Sequence, residues 1–300
     1  MNSQGRRVQL TDGRFLNVVE DGDLEGWPVF VHHGTPASAR LYAPHVQYAR
    51  EKGIRLVGYD RPGYGGSDPH PGRKVADAAE DVRGIADALG IPRFAVWGHS
   101  GGGNHALACA ALLPERVSAV AASAAVAPYG VEGLDWLEGM GSGNLDEFHA
   151  TLAGRDELER YLRPQWLASQ KANKEIPPEL ASLLSPEDLS LLGGELGNYL
   201  EAATNEGLKS GLAGWIDDDL ECVTPWGFDP GSVRVPTSIW HGKRDLFVPW
   251  SHSIWLSKHI PGSELRLFDD ETHLTFFDRR VFELFDWLLA RSGVPPRHRL

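Results

Sequence analysis

The first 127 residues alternate short apolar runs with longer amphipathic stretches. Arg14 to Asp21 reads as a strand in antiparallel pairing with Val8 to Leu10. Pro28 to His32 is an apolar run that ends in a Gly-Pro-bearing loop, the pattern of a buried strand. Ser38 to Lys52 has helical spacing, and Ile54 to Tyr59 is the next strand. Lys74 to Leu89 carries Val75, Ala78, Val82 and Ile85 at helical intervals, and Gly90 and Pro92 end it. Phe94 to Trp97 predicts a strand, Gly101 to Leu113 a helix, and Val117 to Ala125 another strand. From about Pro128 to Gly231 the pattern turns helical, with Leu-rich stretches broken by Pro or Gly. Strands return at Thr237 to His241 and Glu264 to Phe268, with helices over Pro249 to His259 and Phe277 to Ser292.

This rhythm predicts an α/β fold. Eight strands form a mostly parallel sheet with helices on both faces, and a helical insertion follows the sixth strand. The expected division is a core of residues 1–127 and 232–300 and a cap of residues 128–231.

Composition narrows the class. The chain has 300 residues, 42% of them hydrophobic and 23% charged, which excludes disorder and collagen-like structure. Its apolar runs fall short of the roughly 20 residues of a membrane span, and the stretch from Met1 to Arg7 lacks the apolar core of a secretory signal. Cys109 and Cys222 make no disulfide framework; one bond between them stays open, and the economical reading is two buried thiols in a reducing, cytoplasmic setting. The Cys and His positions lack zinc spacing, so no metal is expected. The net charge of -12 and the lack of a sustained basic patch argue against nucleic acid; the short Arg297-His298-Arg299 tail reads as a solvated end. Residues 128–231 hold 20 acids against 6 bases, so the excess charge sits on the insertion. The plain reading is a solvated outer face. The functional reading is a negative rim that disfavours polyanionic substrates.

Candidate chemistry begins at Gly98-His99-Ser100-Gly101-Gly102, a Gly-x-Ser-x-Gly between a predicted strand and a predicted helix. That setting is a nucleophile elbow, where positions two before and two after the serine must lack Cβ so that strand and helix can approach. A dinucleotide phosphate loop needs Gly-x-Gly-x-x-Gly, and Ser100 stands at its central glycine. A serine nucleophile needs a histidine base oriented by a carboxylate. In chain order the candidates are Asp245, after the strand Thr237 to His241, and His273, after the strand Glu264 to Phe268. Asp269 and Asp270 stay open as the orienting acid, with Glu132 and Asp135 more remote. Two backbone donors are needed for the oxyanion. Gly101 N–H and Thr35 N–H, the latter in the loop His33-Gly34-Thr35-Pro36, are the candidates.

Together with Asp60-Arg61-Pro62-Gly63-Tyr64-Gly65-Gly66-Ser67-Asp68, these segments give the chain a resemblance to the α/β-hydrolase superfamily, spread from residue 33 to residue 273. The resemblance implies a Ser100–His273–Asp245 triad and a helical cap. The end of that insertion, Thr224-Pro225-Trp226-Gly227-Phe228-Asp229, looks like that of esterase- and methylesterase-like serine hydrolases. Epoxide hydrolases and haloalkane dehalogenases use an aspartate where this chain has Ser100. Proline iminopeptidases usually place Trp where it has Gly101. Ala37 and Thr272 depart from the common pattern, which has glycine at both positions. Trp136, Trp166, Trp215 and Trp226 read mainly as cap core, with one or two left as candidate pocket walls. The expectation is a serine hydrolase of a small, largely apolar ester or lactone, with no cofactor, a small-molecule partner, and no nucleic-acid or membrane partner. Its oligomeric state stays open. The alternatives are a carbon–carbon bond hydrolase, a proline-iminopeptidase-like aminopeptidase, and a ligand receptor with a slow triad.

Overall fold

The computed structural model describes residues 5–170, 176–291 and 293; the basic tail and the first four residues lie outside them. The strands are β1 (Arg6–Gln9), β2 (Phe15–Gly22), β3 (Trp27–His32), β4 (Ile54–Tyr59), β5 (Phe94–His99), β6 (Val117–Ser123), β7 (Thr237–Gly242) and β8 (Glu264–Phe268). They form one eight-stranded sheet in the order β1-β2-β4-β3-β5-β6-β7-β8. β2 runs antiparallel to both β1 and β4, and the remaining neighbours are parallel. β5 and β6 are buried along their whole length, as central strands covered on both faces must be.

The core helices are α1 (Ala43–Lys52), α2 (Asp77–Ala88) and α3 (Gly101–Leu112). Between β6 and β7 come α4 (Ser142–Ala153), α5 (Arg155–Ser169), α6 (Pro178–Ala181), α7 (Pro186–Leu192), α8 (Glu195–Gly207) and α9 (Ala213–Cys222). The chain closes with α10 (Ser251–His259), α11 (His273–Arg279) and α12 (Val281–Ala290). Val82, Ile85, Leu107, Val120 and Ile239 belong to the core on one side of the sheet, and Ala49, Trp97, Trp240, Phe285 and Leu288 to the core on the other. The helices between β6 and β7 have a smaller core of Leu158, Leu162, Trp215 and Ile216, which also takes in Tyr64, from the segment after β4. No helix among the described residues is long and apolar enough to cross a membrane.

Two helices differ most from the hydrophobic reading. The stretch expected as helix from Ser38 begins only at Ala43, because Pro44 sits in the first turn and residues 38–42 run as a loop. That loop is tied down by Ala39 N–H, which donates to Asp60 Oδ1 at 2.6 Å. The last helix, expected from Phe277, starts four residues earlier and breaks at Arg280. Thr272 supplies the early start. Its hydroxyl accepts Thr275 N–H at 3.2 Å, while Thr275 Oγ1 accepts Thr272 N–H at 2.8 Å, a reciprocal cap.

Candidate active site

Ser100 lies between the last residue of β5 and the first of α3. Its φ of 55° and ψ of -131° are strained for a residue with a side chain. The neighbouring glycines permit this turn. A Cβ on Gly98 would lie 2.0 Å from Gly102 O, and one on Gly102 would lie 2.2 Å from His32 O. Ser100 N–H donates to Ser123 O at 2.9 Å, which fixes the turn to the end of β6. The Ser100 side chain is half-buried, and no hydrogen bond of its hydroxyl is recorded among the described residues.

Asp245 and His273 meet at the ends of β7 and β8. His273 Nδ1 lies 2.6 Å from Asp245 Oδ2, and both residues are buried. The other carboxylate oxygen accepts Phe247 N–H at 2.8 Å and Val248 N–H at 2.9 Å. Burial pushes the Asp245 carboxyl up, but His273 and His241 outweigh it and hold it well below the ordinary carboxylate range. The His273 ring is held on two sides, by Phe247 stacked at 4.5 Å between centroids and by His99 at 4.6 Å. His99 precedes Ser100, so this contact brings the imidazole to the nucleophile turn. His273 opens α11, and the Thr272 side chain before it also donates to Asp188 of α7. The departure from glycine at residue 272 thus caps the helix that presents the histidine.

The other acids considered from sequence lie elsewhere. Asp269 is exposed and pairs with Lys243 at 2.6 Å, and Glu132 and Asp135 are exposed. Each of the four inserted tryptophans packs against a core. Trp136 and Trp226 join the main core, while Trp215 and Trp166 join that of the inserted helices.

Thr35 and Gly101 adjoin one another. A Cβ on Gly101 would sit 2.3 Å from Thr35 Oγ1 and 3.5 Å from Thr35 N. As the first residue of α3, Gly101 has an N–H without an intrahelical acceptor, at the positive end of the helix.

Behind these two residues lies a buried charge network. Arg61 donates to the carbonyls of His33 and Gly34 and, at 3.1 Å, to Thr35 Oγ1. It also donates through Nε and Nη2 to Asp218 at 3.1 and 2.5 Å. Asp218 further accepts Thr35 Oγ1–H at 2.5 Å, Tyr64 O–H at 2.8 Å, and Arg73. Arg73 reaches Glu221 as well, and Glu221 Oε1 lies 2.6 Å from His105 Nε2. Burial pushes the Asp218 carboxyl up, yet Arg61 and Arg73 hold it well below its usual range.

Sequence reasoning missed this network. The run Asp217-Asp218-Asp219 with Glu221 reads as part of a solvated acidic face, yet Asp218 and Glu221 are 2% and 1% exposed. The correction has a physical reason: α9 turns this face toward two guanidinium groups of the core. Arg61 and Arg73 flank the Asp60–Asp68 motif or lie within it, which is the signal that could have found their partners. Among the described residues, His105, Asp218 and Glu221 lie close enough to hold a metal ion. Their carboxylates are already matched by two buried arginines, so the set does not suit a further cation.

The chain belongs to the alpha/beta hydrolase fold family, whose model matches residues 28–280. It is 34% identical over 251 residues to a non-heme chloroperoxidase of Streptomyces lividans, covering 81% of this chain and 83% of that protein. It is 26% identical over 305 residues to a 2-hydroxymuconate semialdehyde hydrolase of Pseudomonas putida, covering 97% and 95%. A solved thermophilic esterase from Thermogutta terrifontis is similar in fold, with a TM-score of 0.70 at 18% identity, covering 97% of this chain and 100% of that one.

Proposed function

We propose that this hydrolase cleaves a small, largely apolar carboxylic ester or lactone through an acyl-enzyme on Ser100. The observation that carries the reading is the strained Ser100 turn beside an imidazole whose far nitrogen is bonded to a buried carboxylate. In the proposed reaction Ser100 Oγ attacks the carbonyl carbon, and its proton passes to His273 Nε2. Asp245 keeps the proton on Nδ1 and stabilises the imidazolium. The oxyanion is received by the N–H groups of Thr35 and Gly101. The C–O bond to the leaving alkoxy group then breaks as His273 returns the proton to its oxygen. Water, deprotonated by His273, attacks the acyl-Ser100 carbonyl and releases the acid. The helices between β6 and β7 would cap this site.

The electrostatics beneath those helices favour a neutral substrate over an anionic one such as the relative's. The muconate named for the Pseudomonas putida relative is a carboxylate. In this chain the buried guanidinium groups of Arg61 and Arg73 are already matched by Asp218 and Glu221. A neutral acyl group fits such surroundings better than a second anion.

The test is active-site labelling with a fluorophosphonate, alongside turnover of p-nitrophenyl esters of graded chain length. Labelling is expected on Ser100 and is expected to vanish in Ser100→Ala. Undiminished labelling of that variant eliminates Ser100 as nucleophile. Turnover of a β-diketone but of no ester would shift the reading to carbon–carbon cleavage.

A further inference from the structure

Two chains of side-chain contacts run from one inserted helix to the two proposed oxyanion donors. α9 carries Asp218 and Glu221 three residues apart, hence on one helix face. Asp218 accepts the Thr35 hydroxyl at 2.5 Å. Glu221 contacts His105 Nε2 at 2.6 Å, and His105 Nδ1 donates to Gly101 O at 2.7 Å. Thr35 and Gly101 are so close that a Cβ on the glycine would collide with the threonine hydroxyl. A small movement of the Thr35 loop therefore changes the spacing of the two N–H groups. Hydrogen bonds to an ionised acceptor are short and strong, and Asp218 receives its bonds away from water.

We propose that Asp218 is a positioning residue for the oxyanion hole: by accepting the Thr35 hydroxyl it holds the 33–36 loop against Gly101, so that α9 must be docked for both donors to be aimed. This inference rests on the serine-hydrolase reading. It differs from a merely structural role, in which Asp218 only neutralises Arg61 and Arg73. The Thr35 hydroxyl separates the two roles, because removing it leaves the Arg61 and Arg73 ion pairs with Asp218 in place and costs, besides the bond to Asp218, only one of the several hydrogen bonds of Arg61.

Thr35→Val is the decisive variant, with Thr35→Ser as the conservative control. Kinetics on a short-chain p-nitrophenyl ester would be paired with inhibition by an aryl boronic acid, whose tetrahedral adduct on Ser100 places an oxygen at the oxyanion position. Thr35→Val is expected to lower kcat by about 10- to 100-fold, a part of the effect of deleting a whole oxyanion donor, and to weaken boronate inhibition by a similar factor. KM is expected to stay within about threefold, since the lost interaction acts in the transition state. Thr35→Ser is expected to restore both quantities. Asp218→Asn is expected to follow Thr35→Val in kcat and, unlike it, to lower the melting temperature as well.

Wild-type kcat and boronate affinity in Thr35→Val would overturn the inference while leaving the serine-hydrolase reading intact. So would an increase in KM alone, or equal losses in Thr35→Val and Thr35→Ser. Failure of the wild-type enzyme to hydrolyse any ester, together with no fluorophosphonate labelling of Ser100, would overturn both.

Discussion

Among the described residues, two buried carboxylate–imidazole pairs share a separation of 2.6 Å and have opposite prospects. Asp245 and His273 lie 2.6 Å apart at the ends of β7 and β8, and Glu221 and His105 lie 2.6 Å apart between α9 and α3. The difference is the second ring nitrogen. In His105 it is bonded to Gly101 O at 2.7 Å, so both nitrogens are engaged and the ring has no site left for a proton from substrate. In His273 no hydrogen bond to Nε2 is recorded among the described residues, and the ring rests against His99, next to the serine turn. An acid–histidine pair is therefore not by itself a mark of a general base. A base also needs a nitrogen left open toward the reacting atom.

The sharpest way to break this comparison is to neutralise each acid in turn. Asp245→Asn is expected to lower kcat by about 10⁴-fold, as in the protease precedent where the imidazole is left in the wrong tautomer. Glu221→Gln is expected to act mainly on stability. It leaves Arg73 and His105 short of a buried partner, with a fall in melting temperature on the order of 5–10 °C. Its effect on kcat should stay near tenfold, measured on the same ester under conditions where both variants are folded. Equal losses of kcat in the two variants would erase the distinction between the pairs. A smaller effect tests what holds the His273 ring. Phe247→Ala removes the face stacked at 4.5 Å and is expected to lower kcat by about tenfold with Asp245 untouched, because a loosely held base spends less time aligned.

The same contrast explains what was legible in the sequence. β4 and β8 match the pattern to the residue, since each is set off by turn residues, although β4 is largely buried and β8, at the sheet edge, is not. The Ser100 turn was legible because its sterics demand glycine at fixed offsets, and Gly98 and Gly102 are there. Asp245 and His273 were legible as positions after strands, although neither the helical start at His273 nor its cap by Thr272 and Thr275 was anticipated. The Asp218 network was not legible. Asp218 is separated by 157 residues from Arg61 and by 183 from Thr35, and a run of three aspartates on a helix looks the same whether it faces water or two arginines. Patterns of burial show where an apolar side chain must go. They are silent about an acid whose burial is compensated by a charge from another part of the chain.

The acidic run also supplies the smallest effect, one that appears in stability. Asp219 faces Glu147, Asp218 and Glu221; burial first, and then those neighbouring carboxylates, push its carboxyl well above the ordinary range. Glu147 is raised as well, mainly by burial, although Trp215 Nε1–H donates to it at 2.7 Å. A raised carboxyl binds its proton more tightly in the folded chain than in the unfolded chain, where it is released near pH 3.9. The stability it confers is therefore complete below about pH 3.9 and is lost as the pH rises through the folded value. Asp219→Asn removes this titration while keeping a polar group that can donate to Glu147. The variant is expected to melt higher than the wild type at pH 7 to 8, by a few degrees, and the gap is expected to close as the pH approaches 4. A gap that stays constant with pH would show that Asp219 acts through packing alone. A gap that widens in acid would mean that Asp219 belongs with Asp218 and Asp245, the carboxylates that the folded chain keeps ionised.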